Sequence, residues 1–336
     1  MKLFKLIFIL FMIIGTIISI SSYSWMGMWM GLEINLISII PLFYQNKNMY
    51  SSEASVKYFL TQALASMFIL FSIILSSLNK EFISLNFDLY PTLIMNSGLM
   101  TKMGAAPFHF WFPEIMEGLS WMNCLILLTW QKIAPMVLLM YNSLFNTFII
   151  SVIIISLIIG GLLGLNQISL RKILAFSSIN HIGWMISALT LSKIIWIIYF
   201  SIYSIITINL IFIFKKMKLY FINQLISTMN NSTFMKLFFG LNMFSLGGLP
   251  PFLGFIPKWL TINELCMNNF FILSLCMILL TLITLYFYMR MIFTNMIINI
   301  NSPNLHWNSF NWYTIISFNF ITISSFLSFP LIFNLF

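Results

Sequence analysis

Apolar stretches of about 20 residues, each apolar on every side, follow one another along nearly the whole chain. Hydrophobic residues make up 60% of the 336 and charged residues only 7%, whereas about 25% of a soluble protein is charged. A soluble domain cannot bury so much apolar surface, so lipid is the solvent. In lipid every backbone N–H and C=O must be paired within the protein, which leaves helices or closed barrels. Barrel strands alternate polar and apolar residues and these stretches do not, so the sequence predicts an all-α polytopic membrane protein.

The sequence predicts about eleven transmembrane helices, joined mostly by short loops. The two longer loops, 215–235 and 294–311, leave no room for a soluble domain. We therefore expect a single membrane domain over residues 1–336. The predicted helices lie near residues 3–21, 25–44, 54–78, 90–117, 121–140, 145–164, 170–190, 193–214, 236–260, 269–293 and 312–334.

An eleven-residue pattern occurs twice, 144 positions apart, and each copy lies inside an apolar stretch. Glycine, proline, phenylalanine and proline match in register, and both copies end on a charge. A proline inside a helix removes a backbone hydrogen bond and kinks or breaks the helix. Repeated breaks at membrane depth are typical of transporters with two related halves, so we expect discontinuous fourth and ninth helices. The two copies are Gly104-Ala-Ala-Pro-Phe-His-Phe-Trp-Phe-Pro-Glu114 and Gly248-Leu-Pro-Pro-Phe-Leu-Gly-Phe-Ile-Pro-Lys258.

Lysine and arginine are distributed unevenly between the two sides of the membrane. If the N-terminus lies on side one, eleven of them lie on that side and only two, Lys80 and Lys193, on the other. The positive-inside rule then puts the N-terminus in the cytoplasm, or in the matrix of a mitochondrion. The eleven are Lys2, Lys5, Lys47, Lys57, Arg171, Lys172, Lys215, Lys216, Lys218, Lys236 and Arg290.

With this orientation the fourth and ninth helices cross the membrane in opposite directions, because they are five helices apart. The sequence therefore predicts an inverted repeat of helices 1–5 and 6–10. These halves cover residues 1–140 and 145–293, and the extra helix 312–334 lies outside the repeat. Two glycine pairs, Gly27 with Gly31 and Gly160 with Gly164, also favour close approach of neighbouring helices.

At least four charged residues are candidates for positions deep in the bilayer, where each costs about 2.5–3.5 kcal/mol on insertion scales. They are Glu33, Lys102, Lys132 and Lys258. Burial disfavours a charged lysine and a nearby carboxylate favours it, so a lysine whose partner moves away is a switchable proton site. We expect Glu33 to pair with Lys102. The alternatives are a purely structural ion pair and snorkelling of the lysines to the headgroups, most readily by Lys258.

His181 is a fifth candidate for proton relay, near the middle of the helix predicted over 170–190. An imidazole with an unperturbed pKa of about 6.5 exchanges protons near neutral pH. Ser177, Ser178 and Asn180 beside it offer hydrogen bonds to water or to other helices. A histidine that only packs is an equally good interpretation.

The sequence gives no indication of a cofactor, a metal or a nucleic-acid partner. Its three cysteines are dispersed and form no CxxC motif, and neither a dinucleotide fingerprint nor a phosphate loop is present. The net charge of +9 does not indicate nucleic-acid binding, because the positive residues flank the membrane rather than line one face.

Five motifs carry a resemblance to a known family. They are Trp29-Met-Gly-Leu-Glu-Ile-Asn35, Lys102-Met-Gly-Ala-Ala-Pro-Phe-His-Phe-Trp-Phe-Pro113, Trp130-Gln-Lys-Ile-Ala-Pro135, Ser177-Ser-Ile-Asn-His-Ile-Gly-Trp184 and Gly247-Gly-Leu-Pro-Pro-Phe-Leu-Gly-Phe-Ile-Pro-Lys-Trp259. Together they resemble the antiporter-like membrane subunits of respiratory complex I. The resemblance covers nearly the whole chain, although the loops 215–235 and 294–311 and the last helix match weakly.

The resemblance implies a role for each candidate residue. Glu33 corresponds to the family's glutamate that pairs with the lysine of the first broken helix, here Lys102. Lys132 corresponds to the connecting lysine of the next helix, and Lys258 to the charged residue of the second broken helix. His181 corresponds to a histidine of the second half-channel. In the family these residues belong to a hydrophilic axis that moves protons while quinone is reduced elsewhere in the complex.

The resemblance also implies a location and partners. We expect the mitochondrial inner membrane, with the N-terminus on the matrix side and the C-terminus on the intermembrane-space side. The expected partners are other membrane-arm subunits of complex I, including neighbouring antiporter-like ones, and lipids such as cardiolipin. NADH, FMN, iron–sulfur clusters and ubiquinone are expected in other subunits. Two alternatives are a cation/proton antiporter subunit outside complex I and a scaffold whose buried charges only lock helices together.

Overall fold

The computed structural model describes residues 3–44, 48–79, 89–142, 147–229, 233–250 and 252–297. Within these ranges every regular element is a helix, and one isolated bridge joins Ser169 to Phe221. The predicted all-α fold is thus confirmed. The predicted helix 312–334, most of the loop 294–311 and Pro251 of the second repeat lie outside the described residues.

The chain forms two compact units, Met1–Ser156 and Leu157–Phe336. The prediction of a single membrane domain stays a prediction. The first unit contains α1 (Leu3–Ser21), α2 (Trp25–Phe43), α3 (Met49–Asn79), α4 (Leu89–Met103), α5 (Trp111–Gly118), α6 (Trp121–Leu128) and α7 (Trp130–Asn142). The boundary falls within α8 (Thr147–Leu165). The second unit contains α9 (Leu170–Leu191), α10 (Lys193–Met217), α11 (Ile222–Met229), α12 (Thr233–Gly247), α13 (Phe255–Met267) and α14 (Phe271–Ile297).

Eight segments of the described chain are helical, long and apolar enough to cross a membrane. They are α1, α2, α3, α6 with α7, α8, α9, α10 and α14, and each corresponds to one predicted helix. The two other predicted helices in the described ranges are broken, the fourth into α4 and α5 and the ninth into α12 and α13. The short helix α11 lies within the predicted loop 215–235.

Both broken helices are interrupted in the same way. The helix before each break is followed directly by a glycine with positive φ, +72° at Gly104 and +74° at Gly248, a conformation that glycine adopts without steric cost. At the first break the N–H groups of Gly104 and Ala105 donate to the carbonyls of Thr101 and Met100. This is the Schellman arrangement, which satisfies carbonyls left over at a helix end.

The second break repeats these hydrogen bonds 144 residues later. The N–H groups of Gly248 and Leu249 donate to the carbonyls of Ser245 and Phe244, at 3.1 and 3.3 Å. The second half-helices also begin in register, α5 at Trp111 and α13 at Phe255. The repeated pattern in the sequence therefore corresponds to a repeated local backbone structure. The inverted arrangement of the two halves stays a prediction.

Candidate functional site

Lys102 lies in the last turn of α4, immediately before the first break, and is 7% exposed. No described residue forms a hydrogen bond or an ion pair with its Nζ. The side chain instead lines a small cavity together with Asn35, Tyr58, Gln62 and Gln131. A buried lysine at a helix C-terminus benefits from the partial negative charge of the unpaired carbonyls there.

Glu33 is half-buried in α2, and it does not form a direct ion pair with Lys102. The two groups interact electrostatically without contact. The carboxylate oxygen Oε1 of Glu33 is buried and has no hydrogen-bond partner. Glu33 thus acts on Lys102 without a direct ion pair, and neutral groups line the cavity around the lysine; the expected pairing of the two residues stays a prediction.

Lys132 is the most deeply buried of the candidates, at 1% exposed. The helix predicted over 121–140 is interrupted at Thr129, so that Lys132 lies in the first turn of α7. Its N–H donates to the Thr129 carbonyl at 3.2 Å, and its Nζ lies 5.7 Å from the centroid of the Phe112 ring. Phe112 belongs to α5, so the second half of the broken helix forms part of the surroundings of Lys132.

Lys258 lies in the first turn of α13 and is 8% exposed. Its Nζ reaches back across the break and donates to the carbonyl of Gly247, the last residue of α12, at 2.8 Å. The same Nζ lies 5.7 Å from the centroid of the Trp184 ring. All three candidate lysines are thus buried within the protein, and none of them extends to a surface at which it would snorkel.

His181 lies in α9, the most deeply buried of the candidate membrane spans. Its Nδ1 is 3.0 Å from the hydroxyl of Tyr199, and its ring centroid is 5.0 Å from that of Tyr203. The imidazole therefore belongs to a polar cluster rather than to a purely apolar core. One helical turn along α9, Trp184 contacts Lys258, which brings the histidine and the lysine to the same part of the second unit.

The residues beside His181 complete this cluster. The hydroxyls of Tyr203 and Tyr288 lie close to those of Ser178 and Ser177. Both serine hydroxyls also donate to carbonyls three residues earlier in α9, at 2.8 Å, a common way to satisfy a hydroxyl in an apolar helix. The amide oxygen of Asn180 is buried and has no partner. Hydroxyl groups thus connect α9 to α10 and α14 within the second unit.

Sequence reasoning did not single out the side chains that surround Lys102. Asn35, Gln62 and Gln131 are amides inside predicted helices, and Tyr58 is a phenol. Polar residues at membrane depth are a recognisable signal, but their convergence depends on how α2, α3, α4 and α7 pack. Among the described residues no three His, Cys, Asp or Glu side chains are grouped in a way that would hold a metal ion; the expected absence of cofactors in this chain stays a prediction.

Comparison with known proteins identifies the family. The model of the family described as NADH:quinone oxidoreductase/Mrp antiporter, TM, matches residues 22–284. NADH-ubiquinone oxidoreductase chain 2 of Anopheles gambiae is 50% identical over 99% of this chain and 98% of the relative, and that of Locusta migratoria is 46% identical over 95% and 91%. This chain belongs to the NADH:quinone oxidoreductase/Mrp antiporter family. The resemblance seen in the motifs is confirmed.

Solved structures show the same fold at low sequence identity. A chain of respiratory complex I from Thermus thermophilus with bound aureothin superposes with a TM-score of 0.87 at 22% identity, covering 97% of this chain and 78% of that one. A chain of the Mrp complex from Dietzia sp. DQ12-45-1b gives a TM-score of 0.77 at 15% identity, covering 97% and 75%. The fold is therefore shared by complex I and by an antiporter complex.

Proposed function

We propose that this chain carries protons across the mitochondrial inner membrane as an antiporter-like, non-redox subunit of the membrane arm of respiratory complex I. NADH oxidation and ubiquinone reduction take place in other subunits, which hold NADH, FMN, iron–sulfur clusters and ubiquinone. One observation carries the proposal: a buried lysine lies at the break of each broken helix, and no carboxylate of the described residues contacts it.

A lysine in such a place is suited to exchange protons. A direct salt bridge would hold the ammonium in its charged form. Neutral dipoles stabilise the charged form less strongly, so that the lysine is able to lose its proton. Lys102 lies among amides and Lys258 donates to a backbone carbonyl. Glu33, Lys132 and His181 complete the proposed set of relay residues, with Glu33 acting on Lys102 through space.

The proposed partners are other membrane-arm subunits, including neighbouring antiporter-like ones, and lipids such as cardiolipin. The proposed orientation puts the N-terminus in the matrix and the C-terminus in the intermembrane space. Protons enter from the matrix side, pass the lysines and leave on the other side. The proposed orientation agrees with the excess of lysine and arginine on side one.

Proton flux per NADH oxidised, measured in vesicles that contain the assembled complex, tests the proposal. We expect Lys102→Met and Lys132→Met to lower this ratio, because methionine keeps the apolar bulk of lysine and removes the titratable group. Lys193→Met is the matched control, since Lys193 is exposed at the start of α10. A ratio unchanged in Lys132→Met would overturn the role of that residue.

Two further variants and a test without NADH separate the alternatives. A scaffold whose charges only lock helices together predicts that Lys102→Ala or Glu33→Gln lowers the amount of assembled complex, while complexes that do assemble pump normally. An antiporter outside complex I predicts cation-dependent proton flux that needs no NADH. The 50% identity to a chain 2 relative over nearly all of both chains favours complex I.

A further inference from the structure

The cavity beside Lys102 has room for about one water molecule. Its volume, counted for the centres of water molecules, is about 10 Å³, close to the minimum that holds one water, which also needs two to four polar partners. Apart from Lys102, its polar lining consists of Asn35, Tyr58, Gln62 and Gln131. All four of these groups are neutral, and each is able to accept a hydrogen bond.

Three of these side chains form a directed chain of hydrogen bonds. The hydroxyl of Tyr58 donates to Oε1 of Gln131 at 3.3 Å, and Nε2 of Gln131 donates to Oδ1 of Asn35 at 3.1 Å. The three residues come from α3, α7 and α2, so Gln131 connects three helices beside the lysine. Each amide oxygen has a second lone pair, which remains available to the cavity.

Gln131 also offers a backbone acceptor close to the cavity. Pro135 lies four residues later in α7 and lines the same cavity. Because proline has no N–H, the carbonyl of Gln131 lacks its usual helical donor. Gln62 adds a contact from α3, where its Nε2 lies 3.5 Å from the carbonyl oxygen of Lys102.

We propose that Gln131 is a positioning residue for Lys102: with Tyr58 and Asn35 it holds one water molecule against the lysine amine. The inference rests on the proposed function, which it deepens. The water is the contact through which Lys102 exchanges its proton. As the lysine N–H bond breaks, the water oxygen takes that proton; one O–H bond of the water then breaks as its proton passes towards Glu33, the acid of the proposed relay nearest in effect to Lys102, so that the water is regenerated. Because Asn35, Tyr58 and Gln131 are neutral, they hold this water whether or not the lysine is charged.

The test uses the assembled complex in vesicles. The lysine-dependent flux is defined as the difference in protons per NADH between the wild-type complex and Lys102→Met. Gln131→Met keeps the length of the side chain but removes its hydrogen bonds, and we expect it to lower this flux about fivefold, the effect of one hydrogen bond. Gln131→Asn keeps a neutral amide, so it should retain more of the flux than Gln131→Met.

Asn142→Leu is the matched control. Asn142 lies in α7, and its Nδ2 donates to Oδ1 of Asn96 in α4 at 2.8 Å. The variant therefore removes an amide contact between α7 and α4 without touching the cavity. We expect wild-type flux. An equal loss in Asn142→Leu and Gln131→Met would mean that helix packing causes the effect, and would overturn the inference.

Two further outcomes are decisive. Loss of flux in Lys102→Met with wild-type flux in Gln131→Met overturns the positioning role alone. Wild-type flux in Lys102→Met overturns the proposed function of Lys102 and this inference with it. If Gln131→Met does not assemble, Tyr58→Phe decides by the same measurement, because it removes only the hydroxyl that orients Gln131.

Discussion

Lys102 and Lys258 lie on opposite sides of their breaks, and yet both are close to the end of the first half-helix. Lys102 precedes its break and Lys258 follows its own. Lys258 nevertheless reaches back to the last carbonyl of α12, and Lys102 lies in the last turn of α4. Both lysines are therefore associated with the carbonyl end of the first half-helix, where a positive charge is favoured. The two lysines are thus placed more similarly in the structure than in the sequence, where one precedes its break and the other follows it.

Gly254 allows the closest approach within the second break. A Cβ atom at this position would lie 1.7 Å from the carbonyl oxygen of Ser245, which is backbone and cannot move aside cheaply. We expect Gly254→Ala to destabilise the protein by about 1–3 kcal/mol or more, as overpacking does. Thermal unfolding of the assembled complex measures the effect.

Gly247→Ala is the control for this prediction, since a Cβ there meets its nearest atom at 3.6 Å, an ordinary contact distance. We expect little change in the unfolding temperature. Similar unfolding temperatures for the two variants would show that the backbone at Gly254 relaxes, and would contradict the prediction.

At the level of helices, one of the two glycine pairs acts differently from the expectation. Gly160 lies close to the backbone of α9 as expected, whereas Gly27 and Gly31 differ from each other. A Cβ on Gly31 would lie 2.5 Å from the backbone nitrogen of Ser19, so α1 and α2 are in close contact there. Its counterpart across that contact is Gly15 rather than Gly27, whose neighbours are serines of its own turn. The spacing along one helix indicated the close approach, but the partner glycine lies on the other helix.

The broken helix of the first unit is held together by a side chain. The indole Nε1 of Trp111, the first residue of α5, donates to the carbonyl of Thr101 in α4 at 3.1 Å. We expect Trp111→Phe to reduce stability by about 0.5–1.5 kcal/mol, the net value of one hydrogen bond. Differential scanning calorimetry of the assembled complex measures the change.

Phe110→Leu serves as the comparison, because Phe110 is 73% exposed in this chain. We expect a smaller shift from this substitution than from Trp111→Phe. If Trp111→Phe unfolds at the wild-type temperature, the hydrogen bond does not stabilise the break.

At the scale of the whole molecule, the charges of α10 test the proposed orientation. Lys193 begins this helix and Lys215 lies near its end, about 33 Å away along the axis. Both side chains are exposed. The proposed orientation puts Lys193 at the intermembrane space and Lys215 at the matrix.

We therefore expect Lys193→Cys to react with a membrane-impermeant thiol reagent from the intermembrane-space side and Lys215→Cys only from the matrix side. Labelling is compared in mitoplasts and in inside-out vesicles. The reverse pattern would contradict the orientation, and labelling of both positions from one side would contradict the assignment of α10 as a membrane span.

Several elements were predictable because they depend on local chemistry. The helices follow from unbroken apolar stretches, and the breaks follow from glycine and proline, whose backbone properties do not depend on distant residues. The interruption at Thr129 and the short helix α11 were not predicted. No proline lies at Thr129 itself. In α11, by contrast, the apolar residues Ile222, Leu225, Ile226 and Met229 follow the i, i+3, i+4, i+7 spacing of an amphipathic helix, so this short helix was predictable from local periodicity.

The sequence by itself determined that the chain lies in lipid, that its fold is all-helical and that two helices are broken. It also determined that Glu33, Lys102, Lys132 and Lys258 are charges within apolar segments. Each of these properties follows from residue type and short-range order. Only the tertiary structure decided what surrounds each charge. Neutral amides line the cavity at Lys102, and Lys258 bonds to the Gly247 carbonyl. Such contacts join residues up to 96 positions apart, so they depend on helix packing, which no local pattern encodes.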